Sequence, residues 1–177
     1  MRTLIRFMLA LSLFSGVLTL SAAQSPAPEE PPVATDVTAE MIASFIDALP
    51  RDAVSDRPIR TVQVTGDYRV GVYGVFRPKD ITGDANLHPV NTTEIYYMLK
   101  GYATLVTGGT LIDPYPAPEP SISIRGKGVD GGVSRRIGPG DVVIIPGHTP
   151  HYWSELETDI EYLIFRPDPD NRIRLVE

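Results

Sequence analysis

The chain has 177 residues, with 16 basic side chains, 22 acidic ones, three histidines and no cysteine. A formal charge of −6 argues against nucleic acid or an anionic membrane surface as a partner, since both require a basic face. The lack of cysteine excludes disulfides and a thiolate nucleophile, so stability must come from a packed core, which a single domain of this length can bury.

Residues 1–23 read as a signal peptide. Arg2 and Arg6 precede an apolar run from Phe7 to Leu20, and Ser21-Ala22-Ala23 offers small residues for cleavage after Ala23. The run is short for a membrane span, and no cysteine follows it to carry a lipid. Export to a periplasm or beyond is the expectation, with no membrane attachment after cleavage. Removing the segment takes away two arginines and no acid, which leaves 14 basic against 22 acidic residues, a formal charge of −8.

Residues 24–37 are rich in proline and glutamate and read as a disordered linker. The pattern then predicts an amphipathic helix from Thr38 to Leu49. Thr38 is its cap, and Ile42, Phe45, Ile46 and Leu49 form an apolar stripe suited to the outside of a sheet. Helix and connector occupy 38–57. From residue 58 to 167 the chain reads as short strands between Gly, Pro, Asn and Asp punctuation. They are expected at 60–65, 68–77, 94–99, 102–107, 121–125, 133–137, 142–145, 151–155 and 161–166. Gly101 turns one strand into the next, and Gly108-Gly109 reads as a tight hairpin turn. The proline-rich stretch 113–120 reads as a stiff loop, 126–132 as a flexible turn, and 168–177 as an exposed tail. Many short strands with regular turns imply an all-β antiparallel double sheet, a sandwich or barrel, with one helix outside.

Two stretches carry the chemistry, and both resemble the signature motifs of the cupin superfamily. The first is His88-Pro-Val-Asn-Thr-Thr-Glu94 followed by six residues and Gly101; the second is Gly140, Pro146 and His151 in register. The resemblance implies a jelly-roll barrel, one divalent transition metal (Fe, Mn, Zn or Ni), a small-molecule ligand or substrate, and a homodimer. Three positions depart from the motifs. Val90, or Pro89 on a near alternative spacing, stands where a second histidine belongs; His148 replaces a glycine; Glu155 replaces an asparagine.

Strand alternation puts Glu94, Tyr96 and Met98 on one face and His151 and Trp153 on another. If both faces point inward, His88, Glu94 and His151 meet as two imidazoles and a carboxylate, a set that binds non-haem iron and other divalent metals. Tyr96, Met98, His148 and Trp153 are the candidate substrate-binding residues, with core packing as the other role for the three larger apolar ones. Ile95, Tyr97 and Leu99 should face outward, Arg135 and Arg136 solvent, Arg166 the surface, and Asn91 a loop. Two readings stay open: a mononuclear metal enzyme, dioxygenase-like in the first instance, and a metal-free module that binds a sugar or an aromatic acid. A filled scaffold barrel is the third.

Overall fold

The computed structural model describes residues 33–64, 67–119 and 121–176. The expected leader and most of the expected linker lie outside the described residues. In chain order the elements are α1 (Ala39–Asp47), β1 (Ser55–Val64), β2 (Tyr68–Arg77), β3 (Ala85–Leu87), β4 (Glu94–Lys100), β5 (Ala103–Thr107), β6 (Thr110–Ile112), β7 (Tyr115–Pro116), β8 (Ile124–Gly126), β9 (Gly128–Asp130), β10 (Val133–Ile137), β11 (Val142–Ile145), β12 (His151–Leu156) and β13 (Ile160–Asp168).

The strands form two main antiparallel sheets. One runs β1-β2-β13-β4-β11, the other β10-β5-β12-β3-β8-β7, and β6 pairs with β9 in a separate ribbon. Inward residues of both sheets meet in one core: Tyr73 and Val75 from β2, Tyr96 and Met98 from β4, Leu105 from β5, Trp153 from β12, and Tyr162 and Ile164 from β13. Every second residue points in, as the pleat requires. Outward neighbours behave as expected, with Tyr97 exposed and Ile95 and Leu99 half-buried.

Helix α1 forms where the stripe predicted it. The Met41 amide donates to the Thr38 hydroxyl at 3.2 Å, which satisfies one of the free donors of the first turn. Ile46 and Leu49 are buried, and with Ile42 and Phe45 they pack on Ile59, Phe76 and Leu163 on the outer face of the first sheet. The helix covers the flank of the barrel, away from its interior.

The turn after β4 depends on a glycine. Gly101 has φ +81°, and a Cβ there would run into the Asp159 carbonyl.

Several expected loops prove ordered. Residues 126–132 are not a flexible turn, since β9 pairs with β6 from Thr110↔Asp130 to Ile112↔Gly128. Gly108-Gly109 is no hairpin either. β5 pairs with β10 and β6 with β9, so the glycines pass one long ribbon from sheet to sheet. Within 113–120, Tyr115 and Pro116 pair with Arg125 and Ile124. Asp168 is fully buried rather than part of an exposed tail; it accepts from the Thr92 hydroxyl at 2.9 Å and the Ile173 amide at 2.7 Å. Asp170 accepts from the Asn91 amide and side chain, so the C-terminal segment is tied across the loop that carries the first motif.

Candidate metal centre and its cavity

One end of the barrel opens into a cavity of about 620 Å³. His88, Glu94 and His151 sit on its wall, brought there by three strands. Glu94 begins β4 and His151 begins β12, while His88 follows β3 directly. β3 and β12 are neighbours, with Asn86 opposite His151. One donor atom from each of the three residues lies within 4.8 Å of the others. His88 Nε2 is 3.5 Å from Glu94 Oε1, and His151 Nε2 is 3.3 Å from Glu94 Oε2.

The far nitrogen of each ring is anchored. His151 Nδ1 lies 2.9 Å from the Thr149 carbonyl, which can only accept, so Nδ1 carries the hydrogen. Nε2, 3.3 Å from Glu94 Oε2, is the nitrogen that faces the cluster: it donates to the carboxylate when protonated and offers its lone pair to a cation when not. His88 Nδ1 faces the Ser123 hydroxyl at 2.9 Å, and its Nε2 receives the Asn86 amide N–H at 2.8 Å. Burial, the leading cause, holds the His88 pKa down at about 4, against an opposing pull from Glu94, so this ring is neutral at pH 7. Imidazole rings whose second nitrogen is fixed by a carbonyl or hydroxyl have the support typical of metal-bound histidines.

Burial by itself would raise the Glu94 pKa. The Arg166 guanidinium, then the hydrogen bond and charge of His151, overcome that and hold the carboxyl well below the usual range. Arg166 Nε donates to Glu94 Oε1 at 2.8 Å, and another guanidinium nitrogen lies 2.7 Å from Asp56 Oδ2. Its side chain is only 14% exposed and stacks over Tyr73. The expected surface position of Arg166 is therefore corrected. The signal was present in the sequence, because alternation along β13 places Arg166 on the face of Ile160, Tyr162 and Ile164. The same logic, running along β2 from Tyr73 and Val75, turns Arg77 inward.

Tyr96 and Trp153 line the cavity. The Tyr96 hydroxyl donates to Glu94 Oε2 at 3.1 Å, so this tyrosine also orients the carboxylate. Met98 does not line the cavity; it is 1% exposed and packs in the core one step deeper on β4. His148 is exposed on the rim and lies behind the triad, bordering a narrow crevice with Pro146 and Thr149. It has φ +62°, and the preceding Gly147 leaves room for the Val90 carbonyl. The glycine of the motif has thus shifted by one residue, and His148 takes the left-handed angle.

The structure also relocates the gap in the first motif. Val90 lies beyond His88 in the loop before β4, while Asn86 precedes His88 by two residues and contacts its ring. Asn86-Leu87-His88 therefore occupies the place of the His-x-His pair, with Asn86 in the position of the missing histidine. Asn86 Oδ1 is buried and has no hydrogen-bond partner. Sequence spacing from Glu94 concealed this, because the loop to Glu94 is one residue longer than the motif allows.

These donors fit a divalent cation. Two imidazole Nε2 atoms and a carboxylate converge, and an orphaned amide oxygen belongs to Asn86 beside them. Arg166, the Tyr96 hydroxyl and the Asn86 amide hydrogen face these donors.

No family model matches the chain, and no curated protein matches it. Among solved structures the chain is similar to BH2720 of Bacillus halodurans, at 12% identity over 86% of this chain and 89% of that one, with a TM-score of 0.50. It is similar to the DMSP lyase DddQ of Ruegeria pomeroyi DSS-3 (20% identity, 73% of this chain and 55% of that one, TM-score 0.46). A third similar structure is an RmlC-like cupin family protein with a double-stranded β-helix fold from Methanocaldococcus jannaschii (15% identity, 68% and 88%, TM-score 0.42). The chain spans little more than half the length of DddQ. At these identities the likeness is one of fold, which hosts many unrelated activities.

Proposed function

We propose that this chain, a cupin by fold, is a mononuclear metal-dependent enzyme acting on a small organic molecule inside the barrel. The observation that carries this reading is the convergence of His88 Nε2, His151 Nε2 and both Glu94 oxygens, with the far nitrogen of each ring anchored by Ser123 or Thr149. His88, Glu94 and His151 would hold the metal, and the orphaned oxygen of Asn86 is placed to join them after a turn of its amide. A divalent ion there supplies Lewis acidity and a template for a chelating substrate or for dioxygen, and the triad composition favours dioxygenase-type chemistry among the options. Tyr96 fixes the Glu94 carboxylate, Arg166 keeps it ionised, and Tyr96 and Trp153 give the substrate an aromatic wall.

A second reading has its own support. Arg166 already neutralises Glu94, and Asn86 already occupies the His88 lone pair. Both contacts suit a metal-free barrel that binds a ligand without turnover. Elemental analysis of protein purified without tag or chelator under exclusion of air separates the two. Near one equivalent of iron, manganese, nickel or zinc, lost in Glu94→Ala and His151→Ala, is the expected result. A protein that stays metal-free after reconstitution would retire the enzyme reading in favour of the binding module.

The reading includes export through the apolar leader, supported by Arg2, Arg6 and the small residues before position 24. Cell fractionation and N-terminal sequencing test it. It also includes a homodimer, supported by the outward Val142 and Ile144 of edge strand β11, 58% and 64% exposed. Light scattering on Ile144→Lys tests that pairing.

A further inference from the structure

The charges around the cavity are unevenly matched. Four arginines (Arg77, Arg125, Arg166 and Arg172) line it against three carboxylates (Asp56, Asp84 and Glu94), in a chain whose formal charge is −6. The acids are already committed. Asp56 and Glu94 share Arg166, while Asp84 is bound by Lys127 at 3.2 Å and by the Tyr115 hydroxyl. Among the described residues, no carboxylate forms an ion pair with Arg77 or Arg125. Arg77 donates only to neutral acceptors, the Tyr162 hydroxyl at 3.1 Å and the Thr82 carbonyl at 2.9 Å. Arg125 has no hydrogen-bond partner among the described residues, although it is half-buried on the cavity wall.

Strand register puts Arg125 in line with the triad. Arg125 on β8 pairs with Asn86 on β3, and Asn86 pairs with His151 on β12. All three side chains line the cavity. Arg125 therefore stands two strands from His151, about 10 Å at ordinary strand spacing. A half-buried guanidinium with no hydrogen-bond partner among the described residues, on the wall of a cavity where Arg77 also has no carboxylate partner, suits a planar anion. Its fork of N–H donors matches a carboxylate in two parallel bonds.

We propose that the molecule taken into this cavity is a small organic carboxylate, held by Arg125 with Arg77 adding charge, so that its other end lies toward His88, Glu94 and His151. This deepens the reading of the cavity as a substrate site and rests on it only for the position of the reacting end; the anion subsite itself does not require a metal.

The test is isothermal titration of the mature protein, metal-free and metal-reconstituted, with benzoate, succinate and citrate, with benzamide and succinamide as neutral counterparts and inorganic phosphate as a non-carboxylate anion. At least one carboxylate should bind the metal-free protein, its amide should not, and Arg125→Gln should weaken binding tenfold or more. Arg125→Lys, which keeps the charge and loses the fork, should fall between. Arg136→Gln, which breaks an outer ion pair with Glu157, should bind like wild type. Equal affinity for acid and amide, wild-type affinity in Arg125→Gln, or phosphate binding in preference to every carboxylate would each overturn the proposal. A protein that takes up metal yet binds none of the carboxylates would overturn it and leave the metal reading standing. Carboxylate binding lost in Arg125→Gln, in a protein that never holds metal, would support the anion subsite and sink only the metal reading.

Discussion

The two ends of the barrel are made from the same strands and solve opposite problems. Along β4 the inward residues run from Glu94 through Tyr96 to Met98, and along β12 from His151 through Trp153 to Leu156. β13 runs the other way, from Ile160 through Tyr162 and Ile164 to Arg166. At the closed end hydrocarbon packs on hydrocarbon, with Met98, Leu105 and Ile160 at or near zero exposure. At the open end the triad and its neighbours Tyr96 and Arg166 are polar or charged, and they are fixed by hydrogen bonds and ion pairs. Stability and chemistry are thus separated along each strand. A change at the closed end should cost stability whatever the cavity holds, whereas a change at the open end should depend on the charges present.

The largest expected effect lies at the closed end. Gly101→Val forces a β-branched side chain into φ +81° and drives its Cβ into the Asp159 carbonyl, with the Ile160 side chain also in the way. Strain and backbone collision together should cost about 4 kcal/mol or more, at the upper limit of single substitutions. Urea unfolding measures it, and added divalent metal should raise wild type and variant alike, leaving the gap between them unchanged. A variant with wild-type stability would mean that the β4–β5 turn is wrongly assigned.

Arg166→Leu tests the open end, with a smaller effect that should respond to charge. It leaves the buried Glu94 without its cation, and since Asp56 is 37% exposed the loss should be about 3 kcal/mol, the low end for a broken buried pair. Unlike the closed-end variant, Arg166→Leu should regain part of its stability when a divalent cation is added, because the ion can neutralise Glu94 in place of the guanidinium. The check is a melting curve with and without manganese or zinc. Rescue of Gly101→Val and not of Arg166→Leu would break the division between the ends.

The sequence made one end far more legible than the other. Alternation and turn residues located most strands, the helix and its stripe, because those signals are local and repeat every two residues or every three to four. The motif residues His88, Glu94 and His151 are brought together as their pattern implied. What the pattern hid was the support around them. Ser123 reaches His88 from 35 positions away and Arg166 reaches Glu94 from 72, through strand crossovers that no local signal encodes. Short strands β3, β6, β7 and β9 escaped notice for the same reason: each has two or three residues and is ordered by its neighbour rather than by its own composition. Arg166 and Arg77 were legible in principle. Each continues the inward face of a long apolar strand; for Arg166, reading arginine as a surface residue overrode the alternation.

The smallest effect concerns His148, on the rim between the two motifs. Its φ of +62° is unfavourable for any side chain and natural for glycine, the residue that the motif places there. Relieving the strain should stabilise His148→Gly by up to about 1 kcal/mol, less whatever the freer unfolded chain takes back. The His148 amide would still donate to the His88 carbonyl at 3.0 Å, since that contact uses only backbone. A residue in a strained backbone conformation raises the question whether its side chain is used. The useful comparison is therefore stability against binding in the same variant. Higher stability with unchanged metal and carboxylate affinity would make His148 a tolerated substitution at a turn. Higher stability with weakened affinity would extend the site to its rim, and lower stability would contradict the strain itself.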